Sequence, residues 1–190
     1  MRHRIGQVGT TAGEAPQTAE ARRLYTPEQR LRRDASRWTL VQGILAPLQF
    51  LVFLISLGLV LRTLATGDGL VAAHASIVAK TLVLYTIMVT GAIWEKEVFG
   101  KYLFAPAFFW EDVVSMGVIA LHTAYLIALA TGWLGTDGQL LLALAAYLVY
   151  VVNAAQFLWK LRCARLDEAR ARRAADSPLA AATPAMGVAK

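Results

Sequence analysis

Four long apolar stretches separated by short polar connections make up most of the chain. Residues 38–61, 113–136 and 138–159 contain no Asp, Glu, Lys or Arg, and residues 69–94 contain only Lys80. Each is long enough for a helix to cross a hydrocarbon layer about 30 Å thick, which takes about 20 residues. None alternates with the two-residue period of a barrel strand, and backbone groups in lipid must be satisfied within their own segment. The pattern therefore predicts an all-α integral membrane protein, a bundle of four transmembrane helices over about 38–62, 70–95, 112–132 and 139–160. This core, residues 22–166, lies between an N-terminal tail (1–21) expected to be disordered and a C-terminal tail (167–190) expected to be a basic helix and then disordered.

The polar residues inside the spans fall on faces. Gln42 and Gln49 are seven residues apart, so they share one side of the first span, and Pro47 between them is expected to kink it. Such a stripe either holds helices together or lines a substrate cavity. In the second span, Lys80 is too deep to reach headgroups, so its partner is expected inside the bundle: a carboxylate from one end, a backbone carbonyl or a ligand carboxylate. His74 is nearer the outer end and is expected to be a solvated interfacial residue. Glu111, Ser115 and His122 share a face of the third span, and Tyr125 extends it. His122 reads as a buried hydrogen-bond donor, or as a magnesium ligand or proton shuttle. Asn153, Gln156 and Lys160 share a face of the fourth span. Ahead of the first span, Thr26, Pro27 and Gln29 have the spacing of a helix cap, first position and capping box, predicting a short basic helix to Ser36 at the membrane surface.

The connection between the second and third spans, Gly91 to Asp112, changes the picture from a membrane bundle to a site. It collects Glu95, Glu97, Glu111 and Asp112 with Lys96, Lys101 and seven aromatic residues. The overall balance supports the membrane reading: 57% of the 190 residues are hydrophobic, and the mean hydropathy is +0.48. The net charge of +6 does not point to nucleic acid, because the excess of base flanks the bundle. Residues 1–37 carry eight Arg against four acids, and residues 160–190 carry seven basic residues against three acids. Both termini, and with them the Gly91–Asp112 connection, are thus expected on the cytoplasmic side of an inner (cytoplasmic or intracytoplasmic) membrane. No cleavable signal peptide is expected. Cys163 is the single cysteine, so neither an internal disulfide nor a cysteine-based metal site is expected.

No phosphate-cradling glycine loop, dinucleotide fingerprint, HExxH or cysteine pair occurs. What remains is acid and base: carboxylates at a partly dehydrated boundary, one buried histidine and one buried lysine. The aromatic group Phe99, Tyr102, Phe104, Phe108, Phe109 and Trp110 suits a large flat apolar ligand. From the residues alone, the expectation is a cofactor-free acid/base site for a lipophilic substrate.

Four strings carry a family likeness: RLYTPEQRLRRDASRWTLVQGILAPLQFLVFLISLGLVLR (23–62), KTLVLYTIMVTGAIWEKEVFGKYLFAPAFFWEDVVSM (80–116), ALHTAY (120–125) and NAAQFLWKLR (153–162). Over roughly residues 23–166 the chain resembles the 3-vinyl bacteriochlorophyllide hydratases of photosynthetic bacteria. The resemblance implies addition of water to the C3 vinyl group of chlorophyllide a or 3-vinyl bacteriochlorophyllide a, giving the 3-(1-hydroxyethyl) product in bacteriochlorophyll a synthesis. It implies no cofactor, with magnesium present only as part of the substrate. On this reading Glu95 or Glu111 donates the proton, and Asp112 or the other glutamate orients water and takes the returned proton. His122 ligates the substrate magnesium, Lys80 or an interfacial arginine pairs with its propionate, and Trp94, Trp110 and Tyr125 are further substrate contacts. Expected partners are the pigment substrate, membrane lipid and neighbouring enzymes of the pathway, with no nucleic acid. A non-catalytic pigment-binding or scaffold subunit is the alternative.

Overall fold

A computed structural model describes residues 24–175; the segment 1–21, expected to be disordered, lies outside the described residues, as does the end of the C-terminal tail. Among the described residues five helices follow in order: α1 (Pro27–Ala35), α2 (Arg37–Thr66), α3 (Leu70–Phe99), α4 (Phe109–Thr131) and α5 (Thr136–Ala175). The last four are long and apolar enough to cross a membrane, which fits a multi-pass membrane protein. Large apolar side chains such as Leu40, Ile55, Leu82, Ile127 and Leu148 face outward from the bundle, as lipid-facing residues do.

The start of α1 follows the predicted chemistry. Thr26 Oγ1 accepts from the Gln29 N–H at 3.2 Å, the Gln29 side chain accepts from the Thr26 N–H at 3.0 Å, and Pro27 stands at the first position. Ser36 then ends α1 and caps α2, its hydroxyl accepting from the Trp38 N–H.

The helices outrun the predicted spans. Hydropathy locates the apolar layer, whereas a helix stops where the backbone turns. α3 continues past Glu95 until Gly100 adopts φ 81°, a left-handed conformation that costs glycine nothing. α5 carries the fourth span and the following basic run as one helix of 40 residues.

Each pair of consecutive long helices forms an antiparallel hairpin whose rungs are hydrogen bonds. In α2/α3, Ser36 Oγ donates to Glu97 at 2.6 Å, Trp94 Nε1 to Thr39 Oγ1 at 2.9 Å and Gln42 Nε2 to Thr90 Oγ1 at 2.8 Å, while the Ser56 and Ser76 hydroxyls lie 2.7 Å apart. In α4/α5, Gln139 Nε2 donates to the Ala128 carbonyl at 3.1 Å, Asn153 Nδ2 to Ser115 Oγ at 2.8 Å and Lys160 to Glu111. Gln42 and Lys160 thus settle as partners between helices, one of the two roles open to such polar stripes.

The two hairpins pack on each other more thinly than the helices within each. Their seam holds Phe53 against Tyr147 and Tyr150, at ring separations of 5.4 and 5.0 Å, and a hydrogen bond between Ser56 and Tyr147. His74 also lies in this seam, its Nδ1 2.6 Å from the Tyr125 hydroxyl. His74, expected as a solvated interfacial residue, keeps partial exposure and gains a partner, because its end of α3 turns it toward α4, where a phenol meets it. At the opposite end Arg30 and Arg33 both reach Glu168, at 3.4 and 3.6 Å, so α1 and the extension of α5 lie together there.

The rungs make a direct test. In a Cys163→Ser background, Ser56→Cys with Ser76→Cys should oxidise to a disulfide, because hydroxyls this close bring the two β-carbons near disulfide range. Ser56→Cys with the outward-facing Ala75→Cys should form no disulfide, so that maleimide labels both thiols once the protein is unfolded in SDS.

Candidate active site

The end of the bundle that carries Glu95 gathers four elements: the last turns of α3, the loop from Gly100 to Phe108, the first turn of α4 and the middle of α5. Glu95, Glu111 and Asp112 are all buried, at 6%, 6% and 3% exposure. Nearly dry carboxyls have to be answered by protein groups, and each of the three is.

Glu95 Oε2 accepts from the Ala105 N–H at 3.3 Å, and Asp112 Oδ2 accepts from the Phe104 N–H at 2.7 Å. Two successive loop amides thus hold two carboxyls from different helices. Phe104 itself sits at φ 58°, a left-handed conformation costing a side-chain-bearing residue about 1–2 kcal/mol. The Asp112 carboxylate, accepting from that residue's N–H, offsets the strain. Held by successive amides, the Glu95 and Asp112 carboxyls are brought beside each other. Two neighbouring buried carboxyls cannot both stay ionised at low cost, so they share a proton.

Glu111 is held differently. Its Oε2 lies 2.5 Å from Lys160 Nζ, and the same ammonium donates to the Ala107 carbonyl and sits 5.0 Å from the centre of the Phe108 ring. An ammonium in direct contact answers the Glu111 carboxylate with a full charge. The three acids that sequence reasoning grouped are therefore two units, a proton-sharing pair and an ion pair. Lys160 had been read only as part of a polar face on the fourth span. Its signal was present all the same, because a short turn from α4 to α5 sets that face opposite Ser115 and Glu111.

Aromatic side chains close the site from the α1 side. Tyr25 stacks on Phe99 at 5.8 Å, Trp94 and Phe99 both meet Phe108 edge-on, and Phe108 stacks on Phe157. The Arg33 guanidinium covers Tyr25 at 4.8 Å. Burial pushes the Tyr25 phenol up from its ordinary value, against the opposing pull of Arg33. Trp94 thus joins the acid cluster, anchored through Thr39. Trp110 does not. It is 69% exposed and meets Phe109 edge-on outside the bundle, because α4 turns about 100° between adjacent residues and only Glu111 and Asp112 point inward. Glu97 lies at the rim, bonded to Ser36.

Farther in, the stripe Ser115, His122 and Tyr125 is buried as phased. His122 Nδ1 donates to the Val118 carbonyl at 2.8 Å, which fixes the tautomer and leaves Nε2 as a lone pair without a partner among the described residues. Lys80 is fully buried and meets neither a carboxylate nor a backbone carbonyl among the described residues. Its Nζ lies 3.9 Å from the centre of the Tyr150 ring and 5.5 Å from that of Tyr147. Tyr125 is committed to His74 at the far end. On the outer side of α5 a groove of about 650 Å³ runs past Val152, Gln156, Trp159 and Cys163 to Glu111 and Lys160. Among the described residues no three His, Cys, Asp or Glu side chains are grouped to hold a metal ion.

A family model described as 2-vinyl bacteriochlorophyllide hydratase matches residues 25–163. The chain belongs to that family. A protein of that name from Cereibacter sphaeroides is 76% identical over 150 residues, covering 78% of this chain and 92% of the relative. A second, from Rhodobacter capsulatus, is 68% identical over 155 residues, covering 82% of this chain and 90% of the relative. These names and the sequence resemblance differ only in how the vinyl position is numbered. No solved structure matches the chain. Every carboxyl of the site, with Lys80, His122 and Lys160, lies within the matched residues 25–163.

The ion pair is testable apart from any reaction. Lys160→Met leaves the Glu111 carboxylate buried and unanswered, which should cost about 2 kcal/mol, less than a fully buried pair because Lys160 keeps partial exposure. Thermal unfolding in detergent should show the loss, and adding Glu111→Gln to Lys160→Met should recover most of it.

Proposed function

We propose that the protein is a hydratase that adds water to the vinyl group of a bacteriochlorophyllide in bacteriochlorophyll biosynthesis, with Glu95 as proton donor and Asp112 as its conjugate partner. The substrate follows from the family; the roles follow from the proton-sharing pair. Hydration of a vinyl group begins with a proton delivered to the terminal carbon. The cation then forms on the carbon attached to the macrocycle, whose conjugated ring spreads the charge. Water adds at that carbon and surrenders a proton, giving a 1-hydroxyethyl group with no change in electron count.

Such a sequence needs an acid that is protonated at neutral pH and a nearby base to receive the proton back. Helix ends divide those roles within the pair. Asp112 lies in the first turn of α4, where the helix dipole favours negative charge, and it accepts the shorter of the two loop N–H bonds. Glu95 lies near the C-terminal end of α3, where the dipole disfavours negative charge. The shared proton therefore rests on Glu95. Glu111, tied to Lys160, is a fixed anion beside the developing cation rather than a donor.

His122 supports the same reading deeper in the bundle. Its Nε2 lone pair, with Nδ1–H held by a backbone carbonyl, is the arrangement of a metal-ligating imidazole, and the metal it would meet is the substrate's own magnesium. Trp94 lies with the acid cluster as an aromatic contact for the macrocycle. The arginine-rich flanks put both termini and the acid end in the cytoplasm, where water and a membrane-dissolved pigment meet.

The test is hydration of chlorophyllide a by membranes containing the protein, read as the mass gain of one water. Glu95→Gln and Asp112→Asn should each lower the rate by about a hundredfold or more, the usual contribution of a positioned acid or base. Glu111→Gln should retain far more activity than either. In D2O the product methyl group should carry non-exchangeable deuterium. Pigment bound without a hydrated product would sink the reading in favour of a scaffold, and full activity in Glu95→Gln would sink the assignment of the acid.

A further inference from the structure

Polar groups in the two halves of the bundle are treated differently. Toward the end that carries Gly69 and Thr136, Ser56, Ser76, His74, Tyr125, Tyr147 and Gln139 all have hydrogen-bond partners within the protein. From the middle toward Glu95, Gln49 Oε1, Lys80 Nζ, His122 Nε2 and Asn153 Oδ1 are buried and have no partner among the described residues. These four groups come one from each of the four long helices. They accompany the seam between the hairpins, where Lys80 of α3 lies over Tyr150 of α5 and His122 of α4 packs against Tyr147.

Buried polar groups are normally satisfied, and a run of such exceptions along one half of the seam points to a ligand that completes them. Lys80 decides its chemistry. It is a donor-only ammonium in the apolar interior, with aromatic faces beside it and no anion among the described residues. An intramembrane lysine of this kind calls for an anionic partner.

We infer that the seam between the hairpins is the substrate slot and that Lys80 binds the substrate's propionate carboxylate there, an inference that rests on the hydratase reading. A bacteriochlorophyllide, unlike the esterified bacteriochlorophyll, carries that carboxylate free. One anion on the ligand then meets one cation in the slot. The spacing agrees. Lys80 and Glu95 are separated by about 22 Å of helix rise, and the Lys80 ammonium lies nearer Tyr150 than Tyr147, on the side toward the acid pair. Two side chains and a macrocycle with its vinyl and propionate arms span such a distance. Lys80 is thus a specificity residue: it selects the free acid and orients it with the vinyl group toward Glu95 and Asp112. The seam is also where the bundle is least tightly packed, so it is the part that can open to a flat molecule.

The experiment compares chlorophyllide a with its propionate methyl ester, using the full chain in lipid nanodiscs. The wild-type protein should show a KM for the ester about tenfold or more above that for the acid, the factor expected from loss of one charge-assisted hydrogen bond. Lys80→Met should raise KM for the acid to the ester's value, leave KM for the ester unchanged and alter kcat little. A wild type that treats acid and ester alike overturns the inference without any variant. So does a Lys80→Met protein that loses both substrates equally, the signature of a structural lysine. Hydration of neither substrate by the wild type would instead remove the hydratase reading, and this inference with it.

Discussion

A polar side chain inside an apolar bundle must find its partner within the bundle, because lipid offers none. That constraint arranges this protein. The hairpin registers are set by pairs such as Gln42 with Thr90 and Asn153 with Ser115. The hairpins are tied together by Ser56 with Tyr147 and His74 with Tyr125. Apolar packing alone would leave the helices free to slide, since one lipid-like surface fits another in many registers. The bonds between defined residues remove that freedom and carry the alignment to the end where the acids lie.

The same constraint explains how three neighbouring acids come to differ. Glu111 faces Lys160 across the α4/α5 hairpin and is neutralised by a whole charge. Glu95 and Asp112 face each other across the return loop, with one backbone N–H apiece, so they settle the remaining charge by sharing a proton. Phe104 is the cost of that solution. Its left-handed backbone brings its own amide and that of Ala105 to two carboxyls at once, and the strain is tolerated because both donors are used.

Spans, the cap at Thr26 and the stripe Glu111, Ser115, His122 were legible because each depends only on local order: a run of apolar residues, a three-residue spacing, a helical period. The Glu111 partner was legible in principle, since a hairpin with a short turn sets Lys160 opposite. The Glu95 and Asp112 pair was not, because it depends on how residues 100–108 return to the bundle, and no periodicity describes that loop. Trp110 stands apart from the acids for a related reason. Composition counts an aromatic residue as part of a cluster, whereas one residue of helix turns it away from Glu111 and out of the bundle. Depth along α3 accounts for the partial exposure of His74, but not for the phenol that α4 brings to it.

Lys80 shows where the fold gives up stability. A charge at the centre of a span costs about 2.5–3.5 kcal/mol even on insertion scales that allow for relaxation, and the Tyr150 face returns about 2 kcal/mol of that when desolvated. The remainder, with the unmade bonds of Gln49 and Asn153, stays uncompensated in the half of the seam nearest the acid pair. In the other half, Ser56 with Tyr147 and His74 with Tyr125 hold the hairpins together. A bundle needing only rigidity would fill such positions with leucine, so the unpaired atoms mark the surface on which a ligand, rather than another helix, is to be bound.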